Sequence, residues 1–350
     1  MSAPLHTMHS SWFEIDLKQF RDNLSAIRNK VGSSRICCVV KANAYGHGLI
    51  PIAREAEKMN VDSLAVVHAH EGVALRKAGI RMPTLVLGAF QETQLEDLLR
   101  YELEFVISSP FKARLAAQKA TQLGLVAPVH IEVDTGMRRT GVRPENAHSL
   151  IDLVSTHSCF ALKGVFSHFV SSEHPNDPTT LRQLEQFLQL KESVGKMPFL
   201  WHLANSGGIL FYPDSHLDMV RPGLLCYERV LALKARVSYF KVVEAGEGIS
   251  YGHTHRTKER TRVITVPVGY GDGYRRDFSN KMDVLVRGTR ARIIGSICMD
   301  QFMVDIGKGE AYVGDEVVLI GRQGENELTI SEMAALAGTD PREILCHFNE

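Results

Sequence analysis

The sequence predicts an α/β fold, a closed (β/α)8 TIM-type barrel over residues 1–230 followed by a mainly antiparallel β domain over 231–350. Three observations predict it. Eight apolar, β-favouring runs recur about every 20 to 35 residues, and the segments between them carry apolar residues at spacings of three and four. Polar residues able to do chemistry stand just past several of those runs, where a barrel builds its site. Beyond 231 the texture changes to valine-rich runs with glycine- and asparagine-containing turns. An open doubly wound sheet is the alternative, but no Gly-x-Gly-x-x-Gly turn follows the first run.

In chain order, a first amphipathic segment spans 12–24. The strand runs are 36–40, 63–67, 84–87, 104–107, 129–133, 162–167, 199–203 and 217–220. Helical periodicity lies between them at 71–78, 91–101, 111–123, 147–156 and 180–195. Lys41 follows the first run, Asp134 to Arg139 the fifth, His168 the sixth, Asn205 and Ser206 the seventh, and Arg221 the eighth. In the second domain the runs are 236–243, 261–268, 282–286, 292–297, 302–306 and 316–320. A helix over 331–337 follows Thr329-Ile330-Ser331-Glu332, and another starts at Asp340.

Composition narrows the function. Forty Lys and Arg balance forty Asp and Glu, so no net field draws in nucleic acid or an anionic membrane. No run of about 18 apolar residues occurs, and the first residues form neither a charged leader nor an apolar stretch, so the expected location is cytoplasmic. Six scattered cysteines without metal-like spacing suit reduced core thiols, and no metal is expected.

Lys41 leaves a buried run and enters a loop of small residues, with Tyr45 as a phenol donor and Gly46 and Gly48 allowing close backbone approach. Lysines are usually surface groups, but one desolvated in such a loop loses basicity and adds to carbonyls, the use made of it by pyridoxal phosphate. Asn205 or Ser206 caps a short helix through Ser206-Gly207-Gly208, as a plain cap or as an anion site. Taken alone, His168 reads more often as a satisfied core histidine, and Arg221 as a surface ion pair.

The octapeptide Lys41-Ala42-Asn43-Ala44-Tyr45-Gly46-His47-Gly48 resembles the cofactor-lysine signature of the alanine racemases. His202 to Ser206, Val220 to Gly223, Asp134 to Arg139, Ser250-Tyr251-Gly252, Gly269 to Tyr274 and Ile297 to Gln301 resemble further motifs of that family, over about residues 11 to 345. The resemblance implies pyridoxal 5'-phosphate held by Lys41, its phosphate by Tyr45, Ser206, Gly223 and Leu224 with Asn205 beside them, and Arg221 facing its ring nitrogen. Arg139 would bond the cofactor oxygen and the substrate carboxylate region, and Met299 would offer its backbone to the carboxylate. Lys41 and Tyr251 would be the two acid/bases, with His168 tuning Tyr251, which comes from the partner chain of a homodimer. The expected activity is interconversion of L- and D-alanine for cell-wall precursors. A racemase for serine or many amino acids, a non-catalytic carrier of the same cofactor, and a decarboxylase of the same fold are the rivals.

The chain departs from the family pattern in five places. Glu132 stands where a lysine, often carbamylated, usually lies seven residues before Arg139, and supplies a built-in negative charge. Ser296 replaces an arginine of the entrance, Glu173 replaces an aspartate, and Glu228-Arg229-Val230 makes a shorter link without glycine. The chain ends at Cys346-His347-Phe348-Asn349-Glu350, without the family's closing tyrosine segment, so another residue is expected to serve the phosphate and entrance, or both are weaker.

Overall fold

A computed structural model describes residues 10–348, so the last two residues of that closing segment lie outside the described residues. The chain forms two compact units. One holds 20–44 and 48–227, and the other holds 45–47, 228–348 and the described residues up to 19.

The first unit is the barrel. Strand β1 (Ser11–Ile15) precedes it and belongs to the second unit. The barrel strands are β2 (Arg35–Val39), β3 (Ser63–Val66), β4 (Thr84–Val86), β5 (Glu104–Ile107), β6 (Ala127–Glu132), β7 (Phe160–Phe166), β8 (Leu200–His202) and β9 (Met219–Val220). Each pairs in parallel with the next, and Arg35 and Ile36 of β2 pair with Met219 and Val220 of β9 to close the ring. Strands covered on both faces read as continuous apolar runs, which is why all eight runs correspond to barrel strands. Helices lie between them, such as Pro110–Leu123, where Ser109 accepts the Lys112 amide at the start and Gly124 (φ 65°) ends the helix in the left-handed region.

The first amphipathic segment resolves into two elements. Asp16 interrupts it, its Oδ1 accepting the Gln19 amide, so the chain before it extends as β1 and the chain after it coils as Leu17–Val31. That helix buries Phe20, Leu24, Ile27 and Val31, one stripe at helical spacing.

The second unit is an antiparallel sheet. Its strands are β10 (Leu231–Arg236), β11 (Tyr239–Val243), β12 (Gly248–Ile249), β13 (His255–Arg256), β14 (Thr261–Val266), β15 (Asp283–Val286), β16 (Thr289–Ile294), β17 (Phe302–Gly307), β18 (Glu316–Gln323) and β19 (Asn326–Leu328). The order is β1-β10-β18-β15-β16-β17-β14-β11, with β19 on β18 and β12-β13 a separate pair. The run 236–243 divides at Val237 and Ser238, ending β10 and forming β11. Phe302 and Leu319 fill the core with Tyr274, whose phenol burial pushes far up from its ordinary value. Helices Ile330–Ala337 and Pro341–His347 start on Thr329 and Asp340, which accept the amides of Glu332 and Arg342.

Candidate active site

The barrel rim gathers several of the singled-out residues. Lys41 and Arg221 follow β2 and β9, which are neighbours in the ring. After Lys41 the backbone turns left-handed through Ala42 (φ 52°), Asn43 (φ 52°), Ala44 (φ 54°) and Tyr45 (φ 53°). A non-glycine residue there costs roughly 1–2 kcal/mol, so this turn stores strain that its surroundings must hold. Glu71 supplies much of that restraint. Its Oε1 accepts the Ala42 amide at 2.7 Å while its Oε2 accepts the amides of Val67 and His68, both at 2.9 Å. Asn43 fixes the exit, its Oδ1 accepting the Leu49 amide at 2.7 Å.

Past β8, Asn205 caps the helix Ser206–Phe211, its Oδ1 accepting the Gly208 amide at 3.0 Å and the Ser172 hydroxyl at 2.6 Å. Ser206 Oγ accepts the amides of Gly223 (3.1 Å) and Leu225 (3.2 Å), so hydroxyl and amides converge beside the end of β9. Leu224 lies between those two amides. Gly207 is obligatory at this close approach, because a Cβ there would meet the Ser172 carbonyl oxygen at 2.5 Å.

Arg221 is buried. One of its terminal nitrogens contacts His202 Nδ1 at 2.7 Å, the other donates to the carbonyls of Ser167 (2.6 Å) and Leu203 (3.2 Å), and the guanidinium stacks 5.0 Å from the Phe166 ring. Burial pushes its pKa down to about 10, with Cys37 and Glu132 opposing and Arg139 adding to the shift, so it stays a cation at neutral pH. Glu132 closes β6, buried, and Thr140 Oγ1 donates to it at 2.6 Å. Burial raises the Glu132 carboxyl, against the pull of Thr140, Arg139 and Arg221. Arg139 itself is exposed. His168 is half-buried past β7, and Gln183 donates to its carbonyl at 2.9 Å.

The other residues lie in the second unit. Tyr45 is buried, its carbonyl 2.8 Å from His47 Nδ1. Tyr251 is 72% exposed and follows Ser250, a non-glycine residue at φ 61°. Ser250 Oγ donates to the Ser296 carbonyl at 2.6 Å, and Ser296 Oγ donates to the Tyr251 carbonyl at 3.1 Å. Met299 sits under the turn Gly269 to Tyr274, its carbonyl accepting the Gly271 amide at 2.9 Å, and a Cβ on Gly269 would strike that carbonyl.

Glu71, Glu104, His130 and Ser172 were not singled out from the sequence, and His202 entered only as the first residue of the motif ending at Ser206. His130 and His202 each interrupt an apolar run, a signal of a polar group aimed into a core; Glu104 begins one, and Glu71 and Ser172 have no such signal.

The donor set fits pyridoxal phosphate. It offers an amine, a donor-only cation on the neighbouring strand, and a hydroxyl at the start of a helix beside that strand's end. Among the described residues no group of three or more metal-ligating side chains occurs.

Comparisons with known proteins agree over the whole length. Residues 15–229 match the family model "Alanine racemase, N-terminal domain" and residues 230–350 match "Alanine racemase, C-terminal domain". The chain is 39% identical to the alanine racemase of Symbiobacterium thermophilum (98% of this chain, 96% of that one) and 38% to that of Halothermothrix orenii (97% and 95%). The crystal structure of alanine racemase from the D-cycloserine-producing Streptomyces lavendulae superposes with a TM-score of 0.93 at 31% identity, covering 99% of this chain and 96% of that one.

Proposed function

The chain belongs to the alanine racemase family, and from that premise we propose that it is a pyridoxal-phosphate-dependent isomerase interconverting L- and D-alanine by a two-base mechanism. The observation that carries the proposal is the meeting of Lys41, Arg221 and the Ser206 cradle at the carboxyl ends of adjoining strands.

When bound, the cofactor supplies an electron-withdrawing system that makes the substrate α-proton removable. Lys41 holds it, with Tyr45, Asn205, Ser206, Gly223 and Leu224 around its phosphate. The Lys41 amine would move a proton on one face of the substrate α-carbon, and the Tyr251 hydroxyl would move one on the other. Arg221 would hold the ring nitrogen as a guanidinium that keeps its own protons, so the bound group would supply only modest electron withdrawal and the proton would return promptly. Arg139 and the Met299 backbone bind the substrate carboxylate, and His168 orients Tyr251. Because Tyr251 is so exposed in its own unit, a second copy of the chain completes the site, and the protein works as a homodimer in the cytoplasm, feeding D-alanine to cell-wall synthesis.

The test is α-proton exchange of L-alanine in heavy water with cofactor-loaded protein, reading deuterium and D-alanine together and repeating with serine. Deuterium in D-alanine is expected. Deuterium confined to L-alanine would mean that one carrier is silent, and no exchange with alanine would remove the assignment.

A further inference from the structure

A line of side chains runs through the barrel from Arg221 at the carboxyl end of β9 to Glu104 at the amino end of β5. Arg221 meets His202 Nδ1 at 2.7 Å, His202 Nε2 meets His130 Nδ1 at 2.9 Å, and His130 Nε2 meets Glu104 Oε2 at 2.9 Å. Both rings are buried. The line is built into the packing: a Cβ on Gly164 of β7 would come within 2.7 Å of His130 Nδ1, and Phe166 stacks on His202 at 4.9 Å and 16°.

Hydrogen-bond polarity along this line has one solution. A guanidinium only donates, so His202 Nδ1 must accept and its proton sits on Nε2. That proton makes His130 Nδ1 an acceptor in turn, which puts the His130 proton on Nε2, where it needs an acceptor. Glu104 is that acceptor. Reversing either ring sets two N–H groups against each other in the barrel interior, and protonating His130 does the same. Replacing a buried ionic line with apolar side chains is often neutral or stabilising, so stability alone does not account for it. Its other end does.

We propose that Glu104 and His130 are positioning residues for Arg221, acting through hydrogen-bond direction: Glu104 terminates a one-way chain that keeps the His202 Nδ1 lone pair turned toward the guanidinium. The proposal rests on the role assigned to Arg221 above. Burial and the Arg221 charge keep His202 well below its ordinary pKa, which agrees with a neutral ring.

The mechanism separates two near-isosteric changes. Glu104→Gln keeps an acceptor oxygen, whereas Glu104→Met removes it. The measurement is nitrogen-15 NMR of histidine-labelled, cofactor-loaded protein, with steady-state racemisation of alanine on the same samples. In the natural protein and in Glu104→Gln, both rings should be neutral with the proton on Nε2, and kcat should stay within about threefold. In Glu104→Met the His130 signal should change tautomer or broaden, and kcat should fall about tenfold, equal to about 1.4 kcal/mol in the barrier, with little change in KM. A doubly protonated His130 in the natural protein, or Glu104→Met retaining both tautomers and kcat, would overturn the proposal. If Glu104→Met does not fold, loss of the tautomers or of kcat in Glu104→Gln would overturn it. The tautomers are read without turnover, so an ordered line in a protein that does not racemise alanine would refute the proposed function and leave the line standing.

Discussion

Three side chains at the rim make separate predictions. Lys41→Ala should lose covalent cofactor attachment, read as the mass adduct after borohydride reduction; an adduct that persists would place the anchor on another lysine. Glu132 brings its own carboxyl to the end of β6, so activity should not respond to added bicarbonate. A dose-dependent bicarbonate stimulation would show that some other group needs to be carbamylated. His202 links the site to acid stability. Its folded pKa lies well below the ordinary 6.5, so below about pH 6.5 the unfolded chain binds a proton that the folded chain refuses. Its stabilising contribution is therefore present above pH 6.5 and lost on acidification, by up to about 1.4 kcal/mol per pH unit. His202→Gln should flatten the fall in melting temperature between pH 6.5 and 5, and parallel curves would refute this. Lys41 and Arg221 were legible because each stands where an apolar run stops. Glu71 was not, because a glutamate at the head of a helical period looks like surface charge, and only folding shows that it accepts three amides.

Among the elements, the left-handed turn 41–45 is the most demanding. Of Ala42-Asn43-Ala44 only the asparagine leans toward positive φ, and alanine has no local preference for it; the conformation is held by Glu71 and by the close approach at Gly46, where a Cβ would meet the Leu345 carbonyl at 2.7 Å. Glu71→Gln replaces one acceptor oxygen with a donor facing amides, and should cost about 3 kcal/mol in a denaturant midpoint and lower cofactor occupancy together. A change below about 0.5 kcal/mol would mean the turn is held elsewhere. The barrel strands were read from the sequence because both faces are covered and the runs are uninterrupted. The opening segment was read as one amphipathic stretch because its apolar spacing continues past Asp16, and only β10 explains why residues before Asp16 extend: Ser11 to Ile15 pair with Ala235 to Leu231.

For the molecule as a whole, the two domains were visible as a change of texture near 231, while the membership of β1 was not, because pairing between positions 220 residues apart leaves no periodic trace. The shared-site reading makes its own prediction. Mixing inactive Lys41→Ala and Tyr251→Ala chains should return about a quarter of the natural activity, since a heterodimer carries one intact site of two and forms as about half the dimers in a random mixture. No activity in verified heterodimers would argue that each chain is self-sufficient. The pairing of β1 with β10 also has a consequence for synthesis. β1 is translated before the barrel, and its partner β10 is made only after the entire barrel has been translated. Until then the backbone N–H and C=O groups along its pairing edge have no native partner, so slower elongation across 40–230 lengthens the interval in which that edge stays open.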